Sequence, residues 1–321
     1  MGGASTMTTP TGPLSPYVTP EVLTAAPTGI SWSTIPPGSG VTPAQRYAEQ
    51  SNICARATSQ VDAYCNQPLR ATLDTEVFRG PNFRATVLSG SRNGRIIMQR
   101  GPVLGIVSIQ IAPDAYFPRQ WTVIPASHYE PEYPPIGVYG STAPSSGGEG
   151  GQAIIIESGW LNWSLGRSGW LVQVQYYNGW PHCGLTAAAS AGDTVLHVDD
   201  CTAWAITNPF SDVTGATGTV YDSGQQELVQ VTASSVTSGP GTLTLASPLA
   251  FDHAVSTIVS TLPQSVMWAT ILFGSSIALT RGATATTVQT IPGAGGSTGN
   301  QKSSDLVTQA QSLLAPFKRV V

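Results

Sequence analysis

The stretch TPAQRYAEQSNICARATSQVDAYC, residues 42–65, decides how the rest of the chain must be read. Thr42 and Gln45 have the spacing of a capping box, and Pro43 falls at the first helical position, where its missing N–H costs nothing. Ile53, Ala57, Val61 and Tyr64 follow at intervals of four, four and three, which draws one apolar stripe down one face of a helix. Pro68 disfavours helical backbone at Gln67, so the helix is expected to stop near Cys65. Its stripe needs a partner, and the flanking sequence is too short to supply one.

Helical pattern returns only after Pro263. Val266, Ala269, Leu272, Phe273 and Ile277 form a candidate buried face, and a Gly/Thr/Ser-rich loop follows from Gly282 to Ser303. A last helix from Ser304 carries Leu306, Ala310, Leu313 and Leu314 before Pro316. The first helix is therefore expected to pack on the two C-terminal ones. Everything between them is β-rich. TLDTEVF, FRATVL, RIIM, VLGIVSIQI, WTVI, QAIIIE and WLVQVQYY fill residues 71–180, with SGSRNG (89–94) as a turn and PSSGGEGG (144–151) as a loop.

Residues 184–262 are a second β block, with TVLHV, QELVQVTA and GTLTLA as its strands. It holds Asp193, Asp199, Asp200, Asp212, Asp222, Glu227 and Asp252, and neither lysine nor arginine. The other 11 acidic and all 14 basic residues lie elsewhere, so the net charge of −4 divides into −7 and +3. Such asymmetry marks a separate unit. The expected fold is α+β. A small helical bundle core (42–70 and 263–321) carries an inserted antiparallel β-sandwich or barrel (71–183) and the acidic β module (184–262), with an extended N-terminal arm at 1–41. That arm has seven prolines and one charge, Glu21, and is expected to order against a partner or a neighbouring subunit.

Only 10% of the residues are charged, against about 25% in ordinary soluble proteins. Charge keeps free monomers apart, so this surface suits a protein covered by neighbours. A secreted β-rich protein shares the bias, but MGGASTMTTP has neither the basic nor the apolar region of a secretion signal. No apolar run reaches the roughly 18 residues that a membrane helix needs. Cys54 and Cys65, roughly 16 Å apart along one helix, lie beyond the about 7 Å reach of a disulfide. Cys183 and Cys201 could meet in space, and reduced, cytoplasmic assembly is the simpler reading.

Catalytic signatures are missing. The G-x-S-x-G match GGSTG (295–299) falls in the Gly/Thr/Ser-rich loop and not at a strand-to-helix elbow, there is no phosphate loop, and the adjacent Asp199 and Asp200 would point to opposite faces of a strand. His182, Cys183, His197, Cys201 and His253 offer metal-ligand chemistry without metal-ligand spacing. Trp160, Trp163, Trp170 and Trp180 could stack on sugars, though core or interface packing explains them better.

Four segments resemble the head–tail connector (adaptor, or head-completion) family of long-tailed bacteriophages. ARATSQVDAYCNQPL (55–69) is similar to the family's first helix, and RIIMQRGPVLGIVSIQI (95–111) to its strand, Pro-Val turn and strand. VQVQYYNGWP (172–181) resembles its closing strand, and LLAPFKRVV (313–321) its C-terminal ending. The acidic block departs from the minimal family pattern and resembles a β module of phage neck and tail proteins. The resemblance implies a non-enzymatic structural virion protein without cofactor, assembled in the host cytoplasm. It would form a ring, commonly dodecameric, between the portal and the stopper or tail-completion protein, and extend the DNA channel. A tail- or fibre-associated glycan-binding protein is the alternative.

Three surface expectations follow. Leu313, Leu314, Phe317, Lys318, Arg319, Val320 and Val321, an apolar pair with a basic tip at a free end, are expected to dock on the portal. Arg79, Arg84, Arg92, Arg95 and Arg100, the one basic concentration, are expected to line the channel or to pair with a neighbour's acidic module. That module is expected to project outward, because copies facing one another across a lumen would repel.

Overall fold

The structure is a computed structural model that describes residues 6–7, 15–79, 94–113, 118–132, 153–156, 170–206, 215–222, 224–283 and 303–319. The helices are α1 (Pro20–Ala25), α2 (Pro43–Cys65), α3 (Gln264–Thr280) and α4 (Ser303–Leu314). The first eight strands are β1 (Thr6–Met7), β2 (Thr72–Arg79), β3 (Gly94–Ile97), β4 (Val103–Pro113), β5 (Thr122–Ile124), β6 (Tyr129–Glu132), β7 (Ala153–Ile156) and β8 (Trp170–Asn178). Six more follow: β9 (His182–Gly184), β10 (Val195–Val198), β11 (Thr217–Tyr221), β12 (Glu227–Ser234), β13 (Gly241–Leu245) and β14 (Ile258–Ser260). Helices and antiparallel sheets are mixed, so the fold is α+β.

α2 begins with the capping box that its sequence predicts. Thr42 Oγ1 accepts from the Gln45 N–H while Gln45 Oε1 accepts from the Thr42 N–H. It ends at Asn66, whose left-handed φ of 55° reverses the chain. Ile53, Ala57 and Val61 are buried in the same cluster as Val266, Ala269, Leu272 and Phe273 of α3 and Leu306, Ala310 and Leu314 of α4, while Tyr64 and Ile277 stand half-buried at its rim. Each fully buried aliphatic side chain of this kind contributes about 1.5–3 kcal/mol. α3 is covered on more than the one predicted face. Met267, Thr270, Ile271, Ser275 and Ser276 are buried as well, because α1, α2 and α4 all pack against it. Gly274 allows that closeness: a Cβ there would lie 3.0 Å from Leu23 Cδ1.

The N-terminal region differs from the expected extended arm. Thr19 caps α1, and Tyr17, Val18, Leu23, Trp32 and Ile35 are buried in the helical cluster of their own chain. The proline count correctly signals a segment with no core of its own. It is silent on the core the segment joins, which is assembled from α2 and from α3 and α4, the last two more than 200 positions away.

Among the described residues, three antiparallel sheets make the β part. β1-β2-β8-β4-β5 is five-stranded, β3-β7-β6 is three-stranded, and β10-β13-β12-β11-β14-β9 is six-stranded. Ile96 and Ile156 of the small sheet pack with Ile109, Ile111, Ile124, Val172, Val174 and Tyr176 of the five-stranded one, two layers around one core. In the six-stranded sheet, β12 pairs with β11 through residues 227–230 and then with β13 through 231–234, across a bulge near Val231. Changing partner halfway along a strand is what curls this sheet. Chain entry and exit are adjacent, since His182, Cys183 and Gly184 face Ser260, Val259 and Ile258. The curled unit therefore starts at 182, two residues before the acidic block.

Candidate functional site

The ends of the four segments singled out in the sequence meet at one place. The Trp180 N–H donates to the Leu69 carbonyl (2.9 Å), and the Ala71 N–H donates back to the Trp180 carbonyl (2.7 Å), which ties the closing strand to the end of α2. The Gly179 N–H donates to the Pro102 carbonyl (3.0 Å), which brings in the Pro-Val turn. Gly179 has φ of 87°, and a Cβ there would lie 2.5 Å from the Arg70 carbonyl oxygen, so glycine alone fits. The C-terminal segment closes the knot from the other side. Phe317 meets Trp180 edge-on with centroids 5.6 Å apart, and its carbonyl accepts from Gln67 Nε2 (2.9 Å). The Arg319 N–H donates to the Cys65 carbonyl (2.9 Å), its guanidinium donates to Gln99 Oε1, and Lys318 lies over the Tyr64 ring at 5.1 Å.

The N-terminal residues fasten the curled sheet to this knot. Ser15 donates from N and Oγ to Asp199 Oδ2 (3.1 and 2.6 Å), while Asp199 Oδ1 accepts from the Gly184 N–H (2.7 Å). Two residues on, the Tyr17 hydroxyl donates to Asp62 Oδ1 (2.6 Å) and accepts from the Leu69 and Arg70 N–H groups. Burial holds the Asp62 carboxyl above its ordinary range, even though the Tyr17 hydrogen bond and Arg70 act the other way. Between them, His182 Nε2 lies 3.0 Å from the Pro16 carbonyl and Nδ1 lies 2.9 Å from Ser260 Oγ. A carbonyl can only accept, so Nε2 carries the hydrogen and Ser260 donates to Nδ1. The pair has the outline of a nucleophile and its base. However, both residues are buried, and burial lowers the His182 pKa to about 3, so the imidazole cannot take up a proton near neutrality. It is a structural tie.

Behind the knot lies a buried polar network on the inner face of the five-stranded sheet. Asp74 Oδ2 accepts from Arg100 Nη1 and from Asn178 Nδ2, each at 2.8 Å. Glu76 accepts from the Tyr176 hydroxyl (2.5 Å) and from the Gln99 N–H (3.1 Å). Burial raises the Glu76 pKa above its ordinary value, against the pull of these two donors.

The acidic module uses its carboxylates differently. Asp200 Oδ1 accepts from the Thr202 N–H and hydroxyl and from the Gly239 N–H. Asp193 takes the Ser190 N–H, Asp252 the Ala191 N–H, and Glu227 those of Ala250 and Phe251. Asp222 and Glu227 flank His253 at 3.2 and 2.8 Å. Backbone N–H groups serve five of the seven acids and His253 serves Asp222, in the place that lysine or arginine fills elsewhere, while Asp212 lies outside the described residues.

Comparison with protein-family models, curated proteins and solved structures found no match. The geometry corrects the expectation of a free C-terminal end. Leu314 and Phe317 are buried in their own chain, Leu313 is half-buried, and Lys318 and Arg319 bond within the knot; Val320 and Val321 lie outside the described residues. An apolar pair before a basic tip looks the same in sequence whether it waits for a partner or packs at home.

The arginine cluster divides in a similar way. Arg100 is buried in its ion pair with Asp74 and so is no channel-lining side chain. Arg79 and Arg95 take backbone places in β2 and β3, their side chains lying outside the described residues, as do Arg84 and Arg92 entirely. Trp180 packs on Phe317, while Trp160, Trp163 and the side chain of Trp170 also lie outside. All four cysteines are free and buried, and among the described residues no His, Cys, Asp or Glu cluster is placed to hold a metal ion. No described helix is long and apolar enough to cross a membrane. An open groove of about 420 Å³ between α2 and α3, lined by Ala55, Arg56, Ser59, Gln60 and Ile277, carries no group of convergent polar side chains. Sequence reasoning missed the Ser15–Tyr17 clamp, whose partners are 184 and 45 residues away, and the Asp74 network, whose partners are 26 and 104 away.

Proposed function

We propose that this chain is a structural subunit of a bacteriophage neck, a ring-forming head–tail connector between the portal and the stopper or tail-completion protein. In this reading α2, α3 and α4 are the bundle core, the two β units are insertions between its helices, and function resides in surfaces rather than in a reaction centre. One observation supports it above the others. The four segments whose sequences resemble the connector family, scattered over residues 55–319, close on one another at a single knot. Segments alike only by chance have no physical reason to end at one place.

A poorly charged surface fits a subunit flanked by copies of itself, and a conduit should not hold its cargo. We therefore expect weak binding to duplex DNA at physiological salt, since tight phosphate binding needs a concentrated basic face. Negative-stain electron microscopy of the purified chain, alone and mixed with the portal protein of the same phage, tests the proposal. Rings seated under the portal are expected. Monomers that ignore the portal at micromolar concentration would overturn it.

A further inference from the structure

We infer that the N-terminal strand is exchanged between subunits: Thr6–Met7 of one copy adds to the β2 edge of a second copy of this chain. The inference rests on the ring reading, because a neighbour must be at hand to receive the strand.

The receiving register is the one seen within the chain, where Thr6 faces Thr75 and Met7 faces Asp74, antiparallel. β1 is the terminal strand of its sheet, so lending it out interrupts no interior ladder. β2 is a regular edge whose inward-facing Asp74 and Glu76 are its guarding charges. Its eight residues pair with β8 one for one without a bulge, and TLDTEVFR contains no proline, so two common devices that blunt an edge strand are missing. Added strands bind such edges through backbone hydrogen bonds alone.

The anchor is equally well placed. From Ser15 onward the chain is fixed to its own body, by Ser15 to Asp199, by Pro16 to His182 and by Tyr17 to Asp62. Only what precedes Ser15 can move to a neighbour without breaking those ties. The seven residues between Met7 and Ser15 span at most roughly 28 Å, which sets how far away the receiving edge can lie. Exchanged and unexchanged strands make the same bonds, so the balance is set by local concentration, which a ring raises for the neighbour's edge.

The test uses the full chain with Thr6→Cys and Thr75→Cys. Facing residues of an antiparallel pair lie about 4.5–5.5 Å apart at Cα, within disulfide reach, and the four native cysteines are buried and do not compete. On mild oxidation of assembled rings, a non-reducing gel should show a ladder of covalent multimers. Rings mixed from a Thr6→Cys chain and a size-tagged Thr75→Cys chain should give a heterodimer band. A chain deleted of residues 1–14 should keep its circular dichroism and associate at least about tenfold more weakly. Rings that yield only a covalently closed monomer and no heterodimer would sink strand exchange and leave the connector reading standing. Absence of any oligomer by light scattering would sink both.

Discussion

The two β regions solve one problem, where to put a carboxylate, in opposite ways. In the sheets of β2 to β8, Asp74 and Glu76 are buried on an inner face, and the chain surrounds them with Arg100, Asn178 and Tyr176. In the curled sheet of β9 to β14, the acids sit at loops and strand ends and draw on backbone N–H groups. A carboxylate sealed inside a sheet needs a countercharge or strong donors, because desolvation is severe there. A carboxylate that caps a turn needs only N–H groups the turn would otherwise leave unpaired. Net charge is thus a poor guide to a module's partners when its acids are already engaged at home.

Isosteric amides should break this comparison apart most visibly. Asp74→Asn leaves Arg100 buried beside a neutral group and should cost about 3–5 kcal/mol in urea unfolding. Asp200→Asn keeps an oxygen facing the same donors and should cost less than about 1 kcal/mol, whereas Asp200→Ala should cost about 1–3 kcal/mol. Equal losses for Asp74→Asn and Asp200→Asn would erase the distinction. Tyr17→Phe removes the hydroxyl that serves Asp62, Leu69 and Arg70, and should cost about 1–3 kcal/mol by the same measurement.

Acid should separate the regions by sign. The Glu76 pKa is raised, so its contribution is greatest below the ordinary value of 4.5 and is lost as pH rises through the folded value. That of Glu227 is lowered: although burial opposes this, the Ala250 and Phe251 N–H groups and His253 prevail. Its contribution is present above 4.5 and lost as pH falls through the folded value. As pH is lowered from neutrality, thermal unfolding should shift in favour of wild type against Glu76→Gln, and against wild type relative to Glu227→Gln. Two shifts of the same sign would contradict the account. The smallest effect is expected at the knot's exposed rim, where Lys318→Gln removes only the cation above Tyr64 and should cost about 0.5–1 kcal/mol.

α2 could be read almost residue by residue, because a capping box, an N1 proline and a 3.6-residue stripe are local signals. Most strands of both β regions were legible for the same reason. β1, β6, β9, β11 and β14 were not, since TM, YEPE, HCG, TGTVY and IVS are too short or too mixed to stand out from loops. At the knot, sequence marked the four segments but not their meeting, and it misjudged the chain's two ends. Ser15–Tyr17 and Leu314–Arg319 are bound inside the molecule rather than held ready for a partner.

The sequence by itself determined where helices start and stop, the alternation of the strands and the segregation of charge, all properties of residues within a few positions of one another. Tertiary structure alone decided that α3 is covered by three other helices, that β2 turns its acids inward, and which carboxylate meets an arginine and which a peptide N–H. Each of those outcomes depends on burial and on donors brought from far along the chain, and the free energy of a charge is set by surroundings that exist only once the chain has closed.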